Sequence, residues 1–166
     1  MEDFDFVKAA DRVAIMNEPV KKTGQRILPL HAKVSSALNR EASYAGSLPG
    51  SRLERLKAAV ADPETDLQVE LQIRRDKTRA PKLEGRVRGE LMMICQRCLK
   101  PFPLSLDAGI DLRLVFNEEE ENRVLKDAEP YLVEDDQLPF HAIVEEEVLL
   151  ALPFSARCER DDCTPG

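Results

Sequence analysis

The stretch Asp66-Leu67-Gln68-Val69-Glu70-Leu71-Gln72-Ile73-Arg74 alternates apolar and polar residues without a break. Successive side chains of an extended chain point to opposite faces, so Leu67, Val69, Leu71 and Ile73 share one face. The segment predicts a half-buried β-strand. The same period recurs further on. Lys82 to Ile94 carries Glu84, Arg86, Arg88 and Glu90 on one face, and Gly85 and Gly89 suggest close packing or a bulge on the other. Leu104, Leu106, Ala108, Ile110, Leu112, Leu114 and Phe116 share one face of a third strand. The links between these strands are short, beginning with the polar loop Arg75 to Pro81, which favours an antiparallel meander. The expected fold class is α+β: an antiparallel β-meander or partly open barrel with a few flanking helices.

Toward the N-terminus, Gly24 to Ser35 reads as an early strand interrupted at Pro29, hence an edge or a bulge, and Ala45 to Gly50 (AGSLPG) as a loop. Ser51 stands three residues before Glu54, the capping-box spacing, and predicts the start of a helix with Leu53, Leu56 and Val60 on its apolar face. That helix is expected to end before Pro63. Toward the C-terminus, Asn117 to Asn122 (NEEEEN) reads as a solvated loop or helix face without chemistry. Asp135 or Asp136 is expected to cap a last helix from about Leu138 to Leu152. Pro139 fits its first turn, Phe140, Val144, Val148 and Ala151 fit one face, and Pro153 stops it. One domain is expected over 1–166, with the first ~20 residues and the tail 154–166 flexible.

The protein has 166 residues, of which 43% are hydrophobic, enough for a sizeable core. Aromatics are 5% and Trp is absent, which disfavours a large aromatic platform for stacking bases. No apolar run approaches the ~20 residues of a bilayer span. Met1 to Ala10 (MEDFDFVKAA) is acidic and does not read as a signal peptide. A cytoplasmic, reducing setting is the resulting expectation, in which four cysteines are more often metal ligands or free thiols than disulfides.

The net charge is −7, unevenly placed. Arg74 to Lys100 holds 9 basic and 3 acidic residues; Pro101 to Gly166 holds 5 basic and 17 acidic residues. The middle segment suits phosphate, and the acidic segment suits a basic protein such as a ribosomal protein. Arg74, Lys82, Arg86 and Arg88 are expected on the open face of the sheet, and with Arg97 and Lys100 they form a candidate RNA-binding stripe. Two solvated faces of opposite sign are the commoner outcome of such asymmetry.

Cys95 and Cys98 form C-x2-C, and Cys158 and Cys163 form C-x4-C. Either spacing lets a short turn aim two thiolates at one tetrahedral ion. All four cysteines fall into these pairs, so they are candidate ligands of one structural zinc, with unligated thiols as the alternative. A redox dithiol is less favoured, because Pro101, Pro103 and a long strand follow where a thioredoxin-like motif needs a helix. His31 and His141 are read as surface or half-buried side chains before metal ligands or bases. Glu145, Glu146 and Glu147 point about 100° apart on a helix and cannot converge on one ion. No phosphate loop, nucleophile elbow or dinucleotide fingerprint occurs.

Two stretches together, ICQRCLKPF (Ile94 to Phe102) and IVEEEVLLALP (Ile143 to Pro153) followed by Cys158 and Cys163, resemble the YceD family of bacterial large ribosomal RNA subunit accumulation proteins. Members of that family carry a C-x-R-C-L-x-P-[FY] segment midway along their length. Near the C-terminus they carry a [IV]-[IV]-E-[DE]-E-[IL]-L-L-A-L-P segment, then a closing His or Cys, four residues and a Cys. The present sequence departs from the common form at Cys158, where His is frequent, and at Val148, where Leu or Ile is usual. Exchange between Cys and His suits a zinc ligand. The resemblance implies a factor for synthesis, processing or stability of 23S ribosomal RNA, acting by binding and not as an enzyme. Its expected partners are precursor ribosomal RNA or large-subunit assembly proteins, with no membrane or small-molecule substrate. The alternatives are a zinc-stabilised adaptor that grips a basic ribosomal protein or nuclease through the acidic region, and, more weakly, a dithiol or metal-dependent enzyme.

Overall fold

The alternating segments pair edge to edge in the order in which they occur. In the computed structural model, which describes residues 26–165, β2 (Ser43–Pro49), β3 (Asp66–Arg75), β4 (Pro81–Ile94) and β5 (Pro101–Val115) form an antiparallel meander. The short β6 (Pro130–Leu132) adds to β5 in parallel. A separate pair joins β1 (His31–Lys33) to β7 (Gln137–Pro139). Helices α1 (Val34–Asn39), α2 (Glu54–Ala59), α3 (Glu118–Val124) and α4 (Phe140–Ala151) complete the described residues. The meander expectation therefore holds, and the sheet stays open with no closed barrel among the described residues.

The period of two decides the layers. Leu67, Val69, Leu71 and Ile73 of β3, Leu83, Val87 and Leu91 of β4, and Leu106, Ala108, Ile110, Leu112 and Leu114 of β5 are all buried on one face. Each such aliphatic side chain contributes on the order of 1.5–3 kcal/mol by leaving water. Helix α4 packs on β5, α1 packs on β3, and α2 packs on α4. Phe140 at the start of α4 meets Tyr44 of β2 edge-to-face, with ring centroids 4.9 Å apart. The β3–β4 register runs without interruption, so Gly85 and Gly89 mark close packing and not a bulge. A Cβ at Gly85 would stand 2.6 Å from Leu71 Cδ2, and one at Gly89 would stand 2.8 Å from Leu67 Cδ2. The two glycines make room for leucines of the neighbouring strand.

Several boundaries differ from expectation, each because a distant group replaces a local one. Ala45 to Gly50 does not form a loop. Residues 45–49 belong to β2, because their amides and carbonyls find β3 on one side while Leu28 N donates to Ser47 O at 3.0 Å on the other. Gly24 and Gln25 lie outside the described residues, as does the expected flexible N-terminal segment of ~20 residues. The rest of the predicted early strand divides into a single bridge at Ile27, the strand β1, and helix α1 from Val34. Ser51 does not cap a helix. It sits in a 3-10 turn, Gly50–Arg52, and α2 begins at Glu54 after Leu53, which supplies no capping hydrogen bond from its side chain. The first amides of α2 are satisfied from α4 instead: Glu145 Oε1 accepts from Arg55 N at 2.7 Å and Leu56 N at 3.1 Å.

The aspartates before the last helix are likewise used elsewhere. Asp135 and Asp136 both adopt positive φ, and α4 starts at Phe140 with no side chain capping it. Asp136 serves α1, accepting from Ser35 N at 2.8 Å and Ser35 Oγ at 2.5 Å. Leu138 and Pro139, expected in the helix, pair with β1. The NEEEEN run forms α3, and Asn117 caps it by accepting from Glu120 N.

The cross-helix cap can be tested against the local one. Glu145→Ala is expected to cost about 1 kcal/mol of unfolding free energy, the usual value of a lost cap, while Ser51→Ala costs only a few tenths. Urea denaturation of the two variants would reverse that order if the local capping box were the working one.

Candidate metal centre and charged sheet face

The link from β4 to β5 is a tight knuckle. Cys95 N donates to Lys100 O at 3.0 Å, Leu99 N donates to Cys95 O at 2.9 Å, and Leu99 takes a positive φ of 58° to close the turn. The C-terminal tail crosses this knuckle. Gln96 N donates to Ala156 O at 2.8 Å, and the Arg97 guanidinium donates to Cys163 O. These contacts bring the two cysteine pairs together across 60 or more residues of sequence.

All four thiols are free. Cys95 Sγ lies 3.7 Å from Cys163 Sγ, and Cys98 Sγ lies 3.7 Å from Cys158 Sγ. The four sulfurs lie within 4.8 Å of one another. A disulfide requires about 2.05 Å, so these are not bonded pairs. A tetrahedral zinc with Zn–S of about 2.3 Å separates its sulfurs by about 3.8 Å, so the donor set and its spacing are compatible with that ion. Cys95 and Cys163 are buried, and Cys98 and Cys158 are half-buried. Hydrogen bonds from the amides of Cys98, Cys158 and Arg97 hold the Cys95 thiol down at about 5, and those amides are donors only a thiolate fully uses. The amide of Arg160 lowers Cys158, and the Arg160 guanidinium approaches Cys98 Sγ at 3.5 Å. The thiol of Cys163 is raised by its contact with Cys158 and by burial. Two lowered thiols and one raised thiol thus share one cluster, and a dication there would favour the thiolate form of all four.

The histidines take no part in a cluster of three or more metal-ligating groups among the described residues. His31 is exposed in β1, and His141 is half-buried, pushed below its ordinary range by that burial. The three glutamates of α4 do separate work. Glu145 caps α2, Glu146 pairs with Arg55 at 2.6 Å, and burial raises the carboxyl of Glu147, with Glu129 and Glu146 adding to it.

Arg74, Lys82, Arg86 and Arg88 stand on the face of the sheet opposite the core, opposed across the strands by carboxylates. Arg74 Nε meets Glu84 at 2.7 Å. Lys82 Nζ bridges Glu84 at 2.7 Å and Asp111 at 2.9 Å. Arg86 grips Asp107 with two parallel bonds of 2.5 and 2.6 Å, and Arg88 approaches the same carboxylate at 3.8 Å. Hydrogen bonds to Arg74 and Lys82 hold Glu84 below the usual carboxylate range, and the bond to Arg86 does the same for Asp107. Arg97 is turned to the tail carbonyl, and Lys100 approaches Asp162 at 3.9 Å. Arg74, Lys82, Arg86 and Arg97 therefore have internal acceptors, while Arg88 and Lys100 have only a carboxylate nearby. Sequence reasoning passed over Arg113, which donates to Asp76 at 2.7 Å, and the exposed turn cations Arg75, Lys77 and Arg79.

Comparison with known proteins bears on these positions. The family model for "Large ribosomal RNA subunit accumulation protein YceD" matches residues 83–166, which includes β4 from Leu83 onward, the knuckle, β5, α4 and all four cysteines. A protein of that name from Haemophilus influenzae is 27% identical over 137 residues, covering 82% of this chain and 79% of its own length. The "Uncharacterized protein YlbN" of Bacillus subtilis is 26% identical over 85 residues, 51% of this chain and 48% of its own. No solved structure matches the sequence.

The knuckle predicts how the tail is held. Cys98→Ser and Cys163→Ser should each raise amide hydrogen exchange across residues 154–165, leaving β3 and β4 protected. Unchanged exchange in the tail would mean that the backbone contacts of Gln96 and Arg97 suffice without the sulfurs.

Proposed function

Because the chain belongs to the YceD family of large ribosomal RNA subunit accumulation proteins, we propose that it supports accumulation of 23S ribosomal RNA by binding, not by catalysis. The match of residues 83–166 carries this reading, since it spans both the knuckle and the helix that packs behind it. The lowered titration of Cys95 and Glu84 comes from structural hydrogen bonds, and that favours a binding role for these groups. The ligand of this function is precursor RNA of the large subunit or an assembly protein bound to it. On the RNA reading, Arg74, Lys82, Arg86, Arg88, Arg97 and Lys100 contribute by exchanging a carboxylate or carbonyl partner for phosphate. Such exchange is open to exposed ion pairs such as those of Arg86 and Arg88, which contribute little to stability, and is more costly for the largely covered Lys82.

A second reading rests on α3. Glu118, Glu119 and Glu121 lie on its surface with no cation within 4.0 Å among the described residues. An adaptor that grips a basic ribosomal protein would use such a helix. Depletion in cells tests the common part of both readings: mature large-subunit RNA should fall or its precursors rise, and unchanged subunit ratios would refute it. Crosslinking to RNA or to a ribosomal protein then separates the two.

The cysteine cluster would hold one structural zinc on this reading, with Cys95, Cys98, Cys158 and Cys163 as ligands. The ion would tie the tail to the sheet and supply no reaction. Gently purified protein should carry about one zinc per chain, and Cys98→Ser should lower that content sharply. Metal-free protein with an intact, protected tail would overturn it.

A further inference from the structure

At the end of β4 opposite the knuckle, the β3–β4 turn stands beside α3. The turn is built around an inward aspartate. Asp76 Oδ1 accepts from Thr78 N at 2.7 Å, Thr78 Oγ1 at 2.6 Å and Ala80 N at 3.1 Å, and its other oxygen takes Arg113 at 2.7 Å. Arg79 N donates to Asp76 O at 2.9 Å, with Arg79 at a φ of 65°. The one acidic group of the turn is thereby occupied. Arg75, Lys77 and Arg79 remain exposed, with no carboxylate within 4.0 Å among the described residues, and the Arg75 guanidinium donates to Arg79 O at 3.1 Å. Three cations are thus displayed on a hydrogen-bonded turn, in contrast to the neutralised sheet face.

Beside this turn lies a cleft of about 240 Å³, lined by Ala80, Pro81, Arg113, Phe116, Arg123 and neighbouring atoms of β5 and α3. Phe116 is 49% exposed there, although the alternation of β5 predicts it on the buried face. Strand β5 ends at Val115, and Phe116 follows it at the entrance to α3, where its amide donates to Glu120 Oε2 at 2.9 Å. The Nε of Arg113 is buried and has no hydrogen-bond partner. The volume is below that of drug-sized ligand sites and suits one planar ring. Cations beside an exposed aromatic ring are the elements of a single-stranded nucleic acid site, in which a base stacks and the backbone follows the charge.

We propose that this cleft binds one base of single-stranded RNA against Phe116, with Arg113 and Arg123 flanking it and Arg75, Lys77 and Arg79 meeting the phosphates of the adjoining nucleotides. The site names the RNA contact of the proposed function and rests on its RNA reading. Glu120 is the carboxylate in the lining. With Glu118, Glu119 and Glu121 on the same helix, it repels phosphate from the α3 side and directs the backbone over the turn. Duplex RNA, whose bases are stacked inside, offers no free ring to the cleft. The 14 residues of β4 place the cysteine cluster roughly 45 Å away at about 3.3 Å per residue, so the two sites should respond independently.

Fluorescence anisotropy of the full-length protein with labelled oligouridylate and oligoadenylate of about 12 nucleotides tests the site, titrated from about 50 to about 200 mM KCl. Replacing Arg75, Lys77 and Arg79 together by Gln should lower the slope of log affinity against log salt by about 2, at about 0.7 per phosphate contact. Phe116→Ala should weaken binding about tenfold with the slope unchanged, and Phe116→Trp should restore it. Lys57→Gln, on α2, should bind as the parent. Because these side chains are exposed and the one hydrogen bond lost, Arg75 to Arg79 O, is itself exposed, thermal unfolding should change little, which separates loss of contact from loss of fold. Parent protein that binds RNA while all variants bind equally would overturn the cleft, placing the RNA elsewhere and leaving the accumulation reading intact. Parent protein that shifts neither RNA, or a triple variant that loses an acidic peptide in place of RNA, would also overturn the cleft; the depletion experiment judges the broader reading separately.

Discussion

The ladder between β4 and β5 is the constraint on which the other features depend. It runs without a slip from Lys82 opposite Arg113 to Ile94 opposite Pro101. A shift of one residue would turn Leu83, Val87 and Leu91 out of the core, and all three are fully buried. The same register sets Asp107 opposite Arg88 and Asp111 opposite Glu84, within reach of Arg86 and Lys82. It also sets the two ends of the molecule apart. One end of β4 is the cysteine knuckle, and the other is the Asp76 turn with its cleft. A hydrophobic requirement on one face therefore dictates the electrostatics of the other.

The linear charge pattern is largely dissolved by that pairing. Residues 74–100 carry a strong positive excess and residues 101–166 a strong negative one, yet β4 and β5 lie side by side. Their outward side chains pair diagonally across the ladder, Arg86 with Asp107 and Lys82 with Asp111, and along β4, Lys82 with Glu84. What survives of the two blocks lies where no strand faces another: the cations of the β3–β4 turn and the glutamates of α3. Those are the surfaces from which long-range attraction or repulsion of a charged partner would come. The two signs meet at the cleft, where the turn residues Ala80 and Pro81 stand beside Glu120 and Arg123 of α3.

Strands were legible in the sequence because their signal is local and periodic. Leu67 to Ile73 and Leu104 to Leu114 could hardly be arranged otherwise in a half-buried protein. The knuckle was legible too, since C-x2-C needs only one turn of backbone. Caps were not. Ser51 and Glu54 have the right spacing, but Glu145 reaches the α2 amides from another helix, and the 3-10 turn takes Ser51 out of register. Asp136 has the composition of a cap for the helix that follows it and instead serves Ser35, 101 residues earlier. Residues 45–49 have a loop composition and are held as a strand by partners on both edges. In each case a polar group is satisfied by whatever lies nearest in space, and sequence spacing says nothing about that.

By itself, the sequence determined the faces of β3, β4 and β5 and their order, a last helix that buries Phe140, Val144 and Val148 though not the expected Ala151, and the grouping of four cysteines into two pairs. These follow from local periodicity and from the short reach of a turn. Tertiary structure alone decided that the two cysteine pairs meet, with sulfurs 3.7 Å apart across the knuckle. It alone decided that the arginines of β4 are spent on carboxylates of β5, and that Phe116 leaves the core face to stand beside Arg113 and Arg123. The physical reason is common to all three. Contact between residues far apart in sequence is fixed by how faces pack and strands register, and a charge or thiol acquires its chemistry from the neighbour that packing supplies.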